Sequence, residues 1–107
     1  MSAEEKGSYR QVCAIGDVAD GAMREVELQD RSLLICRING AWHALDNLCT
    51  HAYAKLTEGR LRGVKLICPL HGGAFDCRTG AAIGRPAVLP LRVYPVRIVD
   101  DRVEVAI

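Results

Sequence analysis

Cys49-Thr50-His51 and Cys68-Pro69-Leu70-His71 each place one thiol and one imidazole in a short loop, in the same order, with sixteen residues between them. Thiolates and neutral imidazoles are soft and borderline metal ligands, and the intervening chain can fold back so that the two loops face each other. Four such ligands converging imply a metal. The order is not the Cys-Cys-His-His order of common zinc fingers. Ligand identity alone fits two centres: a structural zinc ion, or a binuclear iron–sulfur centre with two Cys on one iron and two His on the other.

The rest of the chain limits what can carry those loops. At 107 residues it is long enough for one domain with a modest core, and near the size where a bound metal adds considerably to stability. Half the residues are hydrophobic and a quarter charged, a balance unlike that of disordered or membrane-embedded chains. No apolar run approaches the roughly 20 residues needed to span a bilayer. Met1 to Gly7 is acidic and polar where a secretory signal is basic and then apolar, so a cytoplasmic protein is expected. Five cysteines, an odd count, also argue against a secreted disulfide framework. Beyond Cys49 and Cys68, Cys13 and Cys36 lie inside strand-like runs and read as buried small hydrophobes. Cys77 follows Phe75-Asp76 near the second loop, has no second partner at metal spacing, and reads as structural. Few aromatics and no continuous basic stripe exclude a nucleic-acid module.

Short strands separated by turn signals must position the loops, with no convincing helix. Strands are expected at Tyr9 to Ile15, Met23 to Leu28 and Ser32 to Ile38. Asn39-Gly40 is a strong two-residue hairpin signal, so Ala41 to Asp46 returns antiparallel and leads into the first loop. Leu56 to Gly59 reads as a turn, Lys65 to Cys68 as a short strand delivering the second loop, and Gly72-Gly73 as its closure, where side chains would crowd the backbone. Ala74 to Asp76 is a brief strand turned by Arg78-Thr79-Gly80, and Gly84 to Pro90 is a non-helical connection. Leu91 to Val99 and Val103 to Ile107 read as a closing hairpin with Tyr94, Val96 and Ile98 on one face, Pro95 lying at an edge or bulge. The fold class expected is all-β, in several small antiparallel sheets with the metal loops at one end. His43 and Trp42 read as ordinary strand and core residues. Tyr53 and Leu70, beside the two His, read either as an exposed apolar rim or as packing over the metal.

Cys49-Thr50-His51, Cys68-Pro69-Leu70-His71-Gly72-Gly73, Phe75-Asp76, Thr79-Gly80, Pro86-Ala87 and Pro90-Leu91 together resemble the Rieske ferredoxins of bacterial aromatic ring-hydroxylating dioxygenases, over nearly the whole chain from about Tyr9 to Ile107. The resemblance implies a single Rieske-like domain over 1–107, with a cluster-binding part at about 47–86 inserted in a β base. It implies one Rieske-type 2Fe-2S cluster, its inner iron on Cys49 and Cys68 and its outer iron on His51 and His71, covered by the proline-containing Gly84 to Pro90 loop. The activity implied is one-electron transfer, with no catalysis, from an NAD(P)H-dependent flavin ferredoxin reductase to a terminal oxygenase, each docking transiently at the His51/His71 tip without nucleic acid or membrane. Two other readings are a Rieske-type small subunit of an assimilatory nitrite reductase and a zinc-stabilised interaction module.

Charge is uneven: from Cys49 to Arg85 there are six basic and two acidic residues, although the net charge of the chain is only +1. Such a basic half is either a set of solvated strand edges or a means of steering the tip onto acidic partners. Respiratory Rieske proteins carry an extra Cys in each ligand loop and hydroxyl donors to the sulfurs; the matching positions here are Ala54, Leu70, Gly73 and Phe75. Fewer donors stabilise the added electron less, so the potential should lie toward the low end of the roughly −150 to +300 mV Rieske range. Introducing Gly73→Ser together with Phe75→Tyr is expected to raise it, and an unchanged midpoint in voltammetry would reject this account.

Overall fold

The computed structural model describes residues 8–50 and 54–107. Its strands are β1 (Tyr9–Ala14), β2 (Met23–Leu28), β3 (Arg31–Ile38), β4 (Ala41–Asp46), β5 (Arg60–Arg62), β6 (Lys65–Ile67), β7 (Ala74–Asp76), β8 (Ala82–Gly84), β9 (Val93–Tyr94), β10 (Val96–Val99) and β11 (Arg102–Ala106). They form three antiparallel sheets, ordered β1-β11-β10, β2-β3-β4-β9 and β5-β6-β7-β8. Among the described residues the only helical segments are single 3-10 turns at Ile15–Asp17 and Leu56–Glu58. The expected all-β architecture is therefore the observed one.

β3 is the strand on which the other elements pack. Leu33, Leu34, Ile35 and Cys36 are all fully buried, because the strand is covered on both faces. Leu34, Cys36 and Ile38 enter one core with Leu45, Leu56, Leu66, Phe75 and Cys77. Leu33 and Ile35 point the other way, into a core with Val18, Ala44, Val103 and Val105. Side chains alternate across a strand, so a run apolar at every position requires a packed layer on each side. Asn39, at a φ of 50°, and Gly40, at 82°, make the turn that returns β4 against β3 in the register Ile38↔Ala41 to Leu33↔Asp46.

The expected strand from Leu91 to Val99 is in fact two. β9 pairs with β4, whereas β10 pairs with β11 in a different sheet. Pro95 sits at the crossing, where its missing N–H falls between two ladders, while its carbonyl still accepts from the Ala106 N–H at 3.0 Å. Tyr94 is buried, but Ile98 is 43% exposed, so the expected common face is not maintained across the break. β5 and β8 are additional three-residue strands flanking the β6-β7 pair.

Ile35→Ala and Leu34→Ala should each cost about 2–5 kcal/mol in urea unfolding, since both remove fully buried side chains. Ile35 pairs with Ala44 and lies diagonally across from Trp42, which packs on the same core. Only Ile35→Ala is therefore expected to shift the native Trp42 emission; an equal shift from Leu34→Ala would contradict the two-core description.

Candidate metal centre

Two hairpin-like necks deliver the ligand loops to one end of the β5-to-β8 sheet. In the first, the Leu56 N–H donates to the Asn47 carbonyl at 2.7 Å, Leu48 bridges Lys55, and the Cys49 N–H donates to the Ala54 carbonyl at 3.0 Å. In the second, β6 leads straight into Cys68, whose N–H donates to the Gly73 carbonyl at 2.7 Å. Between them His71, at a φ of 65°, and Gly72, at 73°, are consecutive left-handed residues, a turn that reverses the chain within a few residues. A side chain at Gly72 would meet nothing within 4 Å, so its φ, not the crowding expected from the sequence, is what favours glycine.

The loops bring their thiols together. Cys49 and Cys68 are buried, at 6% and 2% exposure, and their side chains share a hydrogen bond. Burial pushes the Cys68 thiol up, the Leu70 N–H donating to its sulfur pulls it down, and Cys49 pushes it up again. His71, by contrast, is exposed, next to Leu70 at 46% exposure. The pair of sulfurs thus faces inward and this imidazole lies at the surface of the same end.

His51 and Tyr53, expected as an outer ligand and a rim residue, lie outside the described residues. Among the described residues no three His, Cys, Asp or Glu side chains close around a single point. A binuclear cluster does not require that, since each iron takes only two protein ligands. The donor set fits such a cluster: a buried thiol pair, a backbone N–H already directed at one sulfur, and an imidazole on a tight turn at the surface.

The other titratable candidates are absorbed by packing. Cys13 and Cys36 are buried as expected. Cys77 is fully buried against Cys36, and this shared hydrogen bond, together with burial, pushes the Cys36 thiol well above its ordinary range. That thiol–thiol contact joins β3 to the turn after β7, residues far apart in sequence that spacing does not connect. His43 is half-buried on β4, and burial lowers its pKa. Phe75 is fully buried in the core beneath the loops, and Gly73 is buried as well.

The segment after β8 lies against the first ligand loop. The Thr50 hydroxyl donates to the Leu89 carbonyl at 2.8 Å, and Ala87 is buried in the core below the loops. Val88 and Leu89 point outward at 70% and 61% exposure. Sequence reasoning missed these two side chains, although a pair of large apolar residues between Pro86 and Pro90 was the available signal. The chain returns to β9 past Gly80, where a φ of 82° and the close approach of the Leu91 carbonyl leave no room for a Cβ. In the same half Lys55 and Arg78 are ion-paired with Glu25 and Asp76, and Arg60, Arg62, Lys65 and Arg85 are exposed.

Comparison with known proteins agrees with this geometry. Residues 8–95 match the Rieske [2Fe-2S] domain. The ferredoxin component of the naphthalene 1,2-dioxygenase system of Pseudomonas putida is 37% identical over 93 residues, covering 87% of this chain and 89% of that protein. The Sphingomonas yanoikuyae B1 ferredoxin superposes with a TM-score of 0.89 at 37% identity, covering 94% of this chain and 99% of that one. A chain from the complex of reduced oxygenase and oxidized ferredoxin in carbazole 1,9a-dioxygenase superposes with a TM-score of 0.88 at 36% identity, covering 92% of each. These findings decide between the two centres left open by ligand identity, in favour of one Rieske-type 2Fe-2S cluster over zinc.

Proposed function

Because the chain belongs to the Rieske [2Fe-2S] domain family, we propose that it is the ferredoxin of an aromatic ring-hydroxylating dioxygenase system, carrying single electrons from a flavin-containing NAD(P)H-dependent reductase to a terminal oxygenase. The observation that carries this reading is the thiol pair buried beneath a tip where His71, Leu70, Val88 and Leu89 are exposed. Cys49 and Cys68 hold the inner iron, His51 and His71 the outer one, and residues 47–86 form the cluster-binding part of the domain. The bound cluster supplies reversible one-electron chemistry with all protein-ligand positions filled. The chain's own residues set its surroundings. Buried Cys49 and Cys68 keep the sulfur side away from water, and the Leu70 N–H favours added negative charge on sulfur.

Both partners dock at the tip, where Leu70 of the second ligand loop and Val88 and Leu89 beside the first offer exposed apolar side chains suited to a transient contact. Arg60, Arg62, Lys65 and Arg85 steer it onto acidic partner surfaces. The relatives' dioxygenase roles and the odd cysteine count support a cytoplasmic site of action. Among the described residues no helix is long and apolar enough to cross a membrane.

Reconstitution with reductase and oxygenase pairs tests the reading: formation of the dihydroxylated, ring-reduced product should require this protein, and formation at the same rate without it for every pair would defeat the assignment. Val88→Ser with Leu89→Ser should slow electron transfer to the oxygenase about tenfold, leaving absorption spectrum and potential unchanged. The rate should also fall as salt is added. Alanine at Cys49, His51, Cys68 or His71 should yield protein lacking the cluster absorbance.

A further inference from the structure

Asn47 is the one fully buried polar side chain among the described residues, and it lies at the base of the first ligand loop. Its hydrogen-bonding capacity is used across the neck of that loop. The Thr57 N–H donates to Oδ1 at 2.9 Å, and Nδ2 donates to the Thr57 hydroxyl at 3.0 Å and to the Ser32 hydroxyl at 2.9 Å. The main chain of Asn47 adds two bonds, its N–H to the Ser32 carbonyl at 3.0 Å and its carbonyl from the Leu56 N–H at 2.7 Å.

From this rung the neck runs outward through the Leu48–Lys55 bridge to the Cys49–Ala54 bond, so Cys49 sits on the outermost rung among the described residues. The far side is tied to the base sheet as well. Ser32 donates to Glu25 at 2.8 Å, and Glu25 pairs with Lys55 at 2.7 Å. Strand β2, strand β3 and both limbs of the neck are joined through one side chain and its immediate partners. Every polar atom of that amide has a protein partner, a condition under which a buried polar group specifies a single geometry.

We infer that Asn47 is a positioning residue for the cluster: its amide clamps the two limbs of the first loop and thereby fixes Cys49 opposite Cys68. This inference rests on the proposed reading that Cys49 and Cys68 are cluster ligands. Backbone bonds alone fix spacing along the neck. The amide fixes the neck against β3, whose Leu34, Cys36 and Ile38 belong to the same core as Cys49 and Cys68. Groups that orient metal ligands from behind typically change metal retention by about 10–100-fold when removed.

The test uses the purified holoprotein of Asn47→Ala, Thr57→Val and Val103→Ala. The last removes buried side chain from the opposite core and serves as a control for plain destabilisation. Cluster release in the presence of an iron chelator is followed by visible absorbance, at temperatures set equally far below each variant's Tm. Midpoint potential and EPR g-values are recorded for each. Asn47→Ala is expected to release the cluster at least tenfold faster than Val103→Ala, with shifted g-values and potential, and Thr57→Val to change all three in the same direction by less. Should Asn47→Ala not fold, Thr57→Val against Val103→Ala decides the matter alone. Release rates, g-values and potentials alike in the Asn47, Thr57 and Val103 variants would overturn the positioning role. Wild-type protein purified without iron and sulfide, or a Cys49→Ala protein that retains the wild-type cluster spectrum, would instead overturn the ligand reading beneath it.

Discussion

Burial of β3 on both faces is the constraint from which the rest of the structure follows. A single strand cannot separate two cores unless each face has its own cover, and here the two covers do different work. The β1-β11-β10 sheet closes one side with Val103 and Val105 and carries no chemistry. The β5-to-β8 sheet closes the other with Leu66, Phe75 and Cys77 and carries the ligand loops. Cys36 and Cys77 meet across that second interface, so even the free thiols serve as small hydrophobes filling it. The cluster end is therefore held by the same packing that stabilises the fold, and local loosening of one loosens the other.

On the proposed ligand set, the site places its thiols deeper than its described imidazole. Thiolates bring negative charge into a low-dielectric setting, which is costly unless a metal and directed N–H groups neutralise it. The structure buries the two sulfurs and aims the Leu70 N–H at one of them. Imidazoles bind metal in neutral form, so exposing one carries little penalty, and His71 is exposed. An electron that must cross between proteins is best handed over where the distance to a partner is least. On the proposed ligand set, buried Cys49 and Cys68 with exposed His71 would give the electron that direction.

Much of this was legible from residue types because the governing physics is local. Asn39-Gly40 dictates its turn, four consecutive apolar residues at 33–36 dictate two-sided burial, and two Cys-plus-His loops dictate a metal. What escaped notice depends on tertiary context. Arg-Leu-Arg at β5 has no strand signature of its own and becomes one by pairing with β6. Leu91 to Val99 alternates well enough to read as continuous, yet the Pro95 break lets its halves serve separate sheets. Asn47 carries no signal of its own in the sequence beyond lying near a ligand motif. Its significance lies in Ser32 and Thr57, which periodicity and spacing do not connect to it.

The tip combines demands that pull in opposite directions. Exposed Leu70, Val88 and Leu89 cost solubility and add nothing to the core, so packing alone does not explain them. A docking patch, however, must stay small, because an electron carrier that binds tightly releases slowly and most differences in affinity appear in dissociation. Val88 and Leu89 sit on a segment anchored on both sides, by buried Ala87 and by the Thr50 bond to the Leu89 carbonyl. On the proposed docking, that anchoring would present two apolar side chains on a held backbone, so that little order is lost when a partner arrives. On the proposed reading, a narrow patch beside exposed His71 would favour brief encounters, while the Asn47 hydrogen bonds hold the limb that carries Cys49.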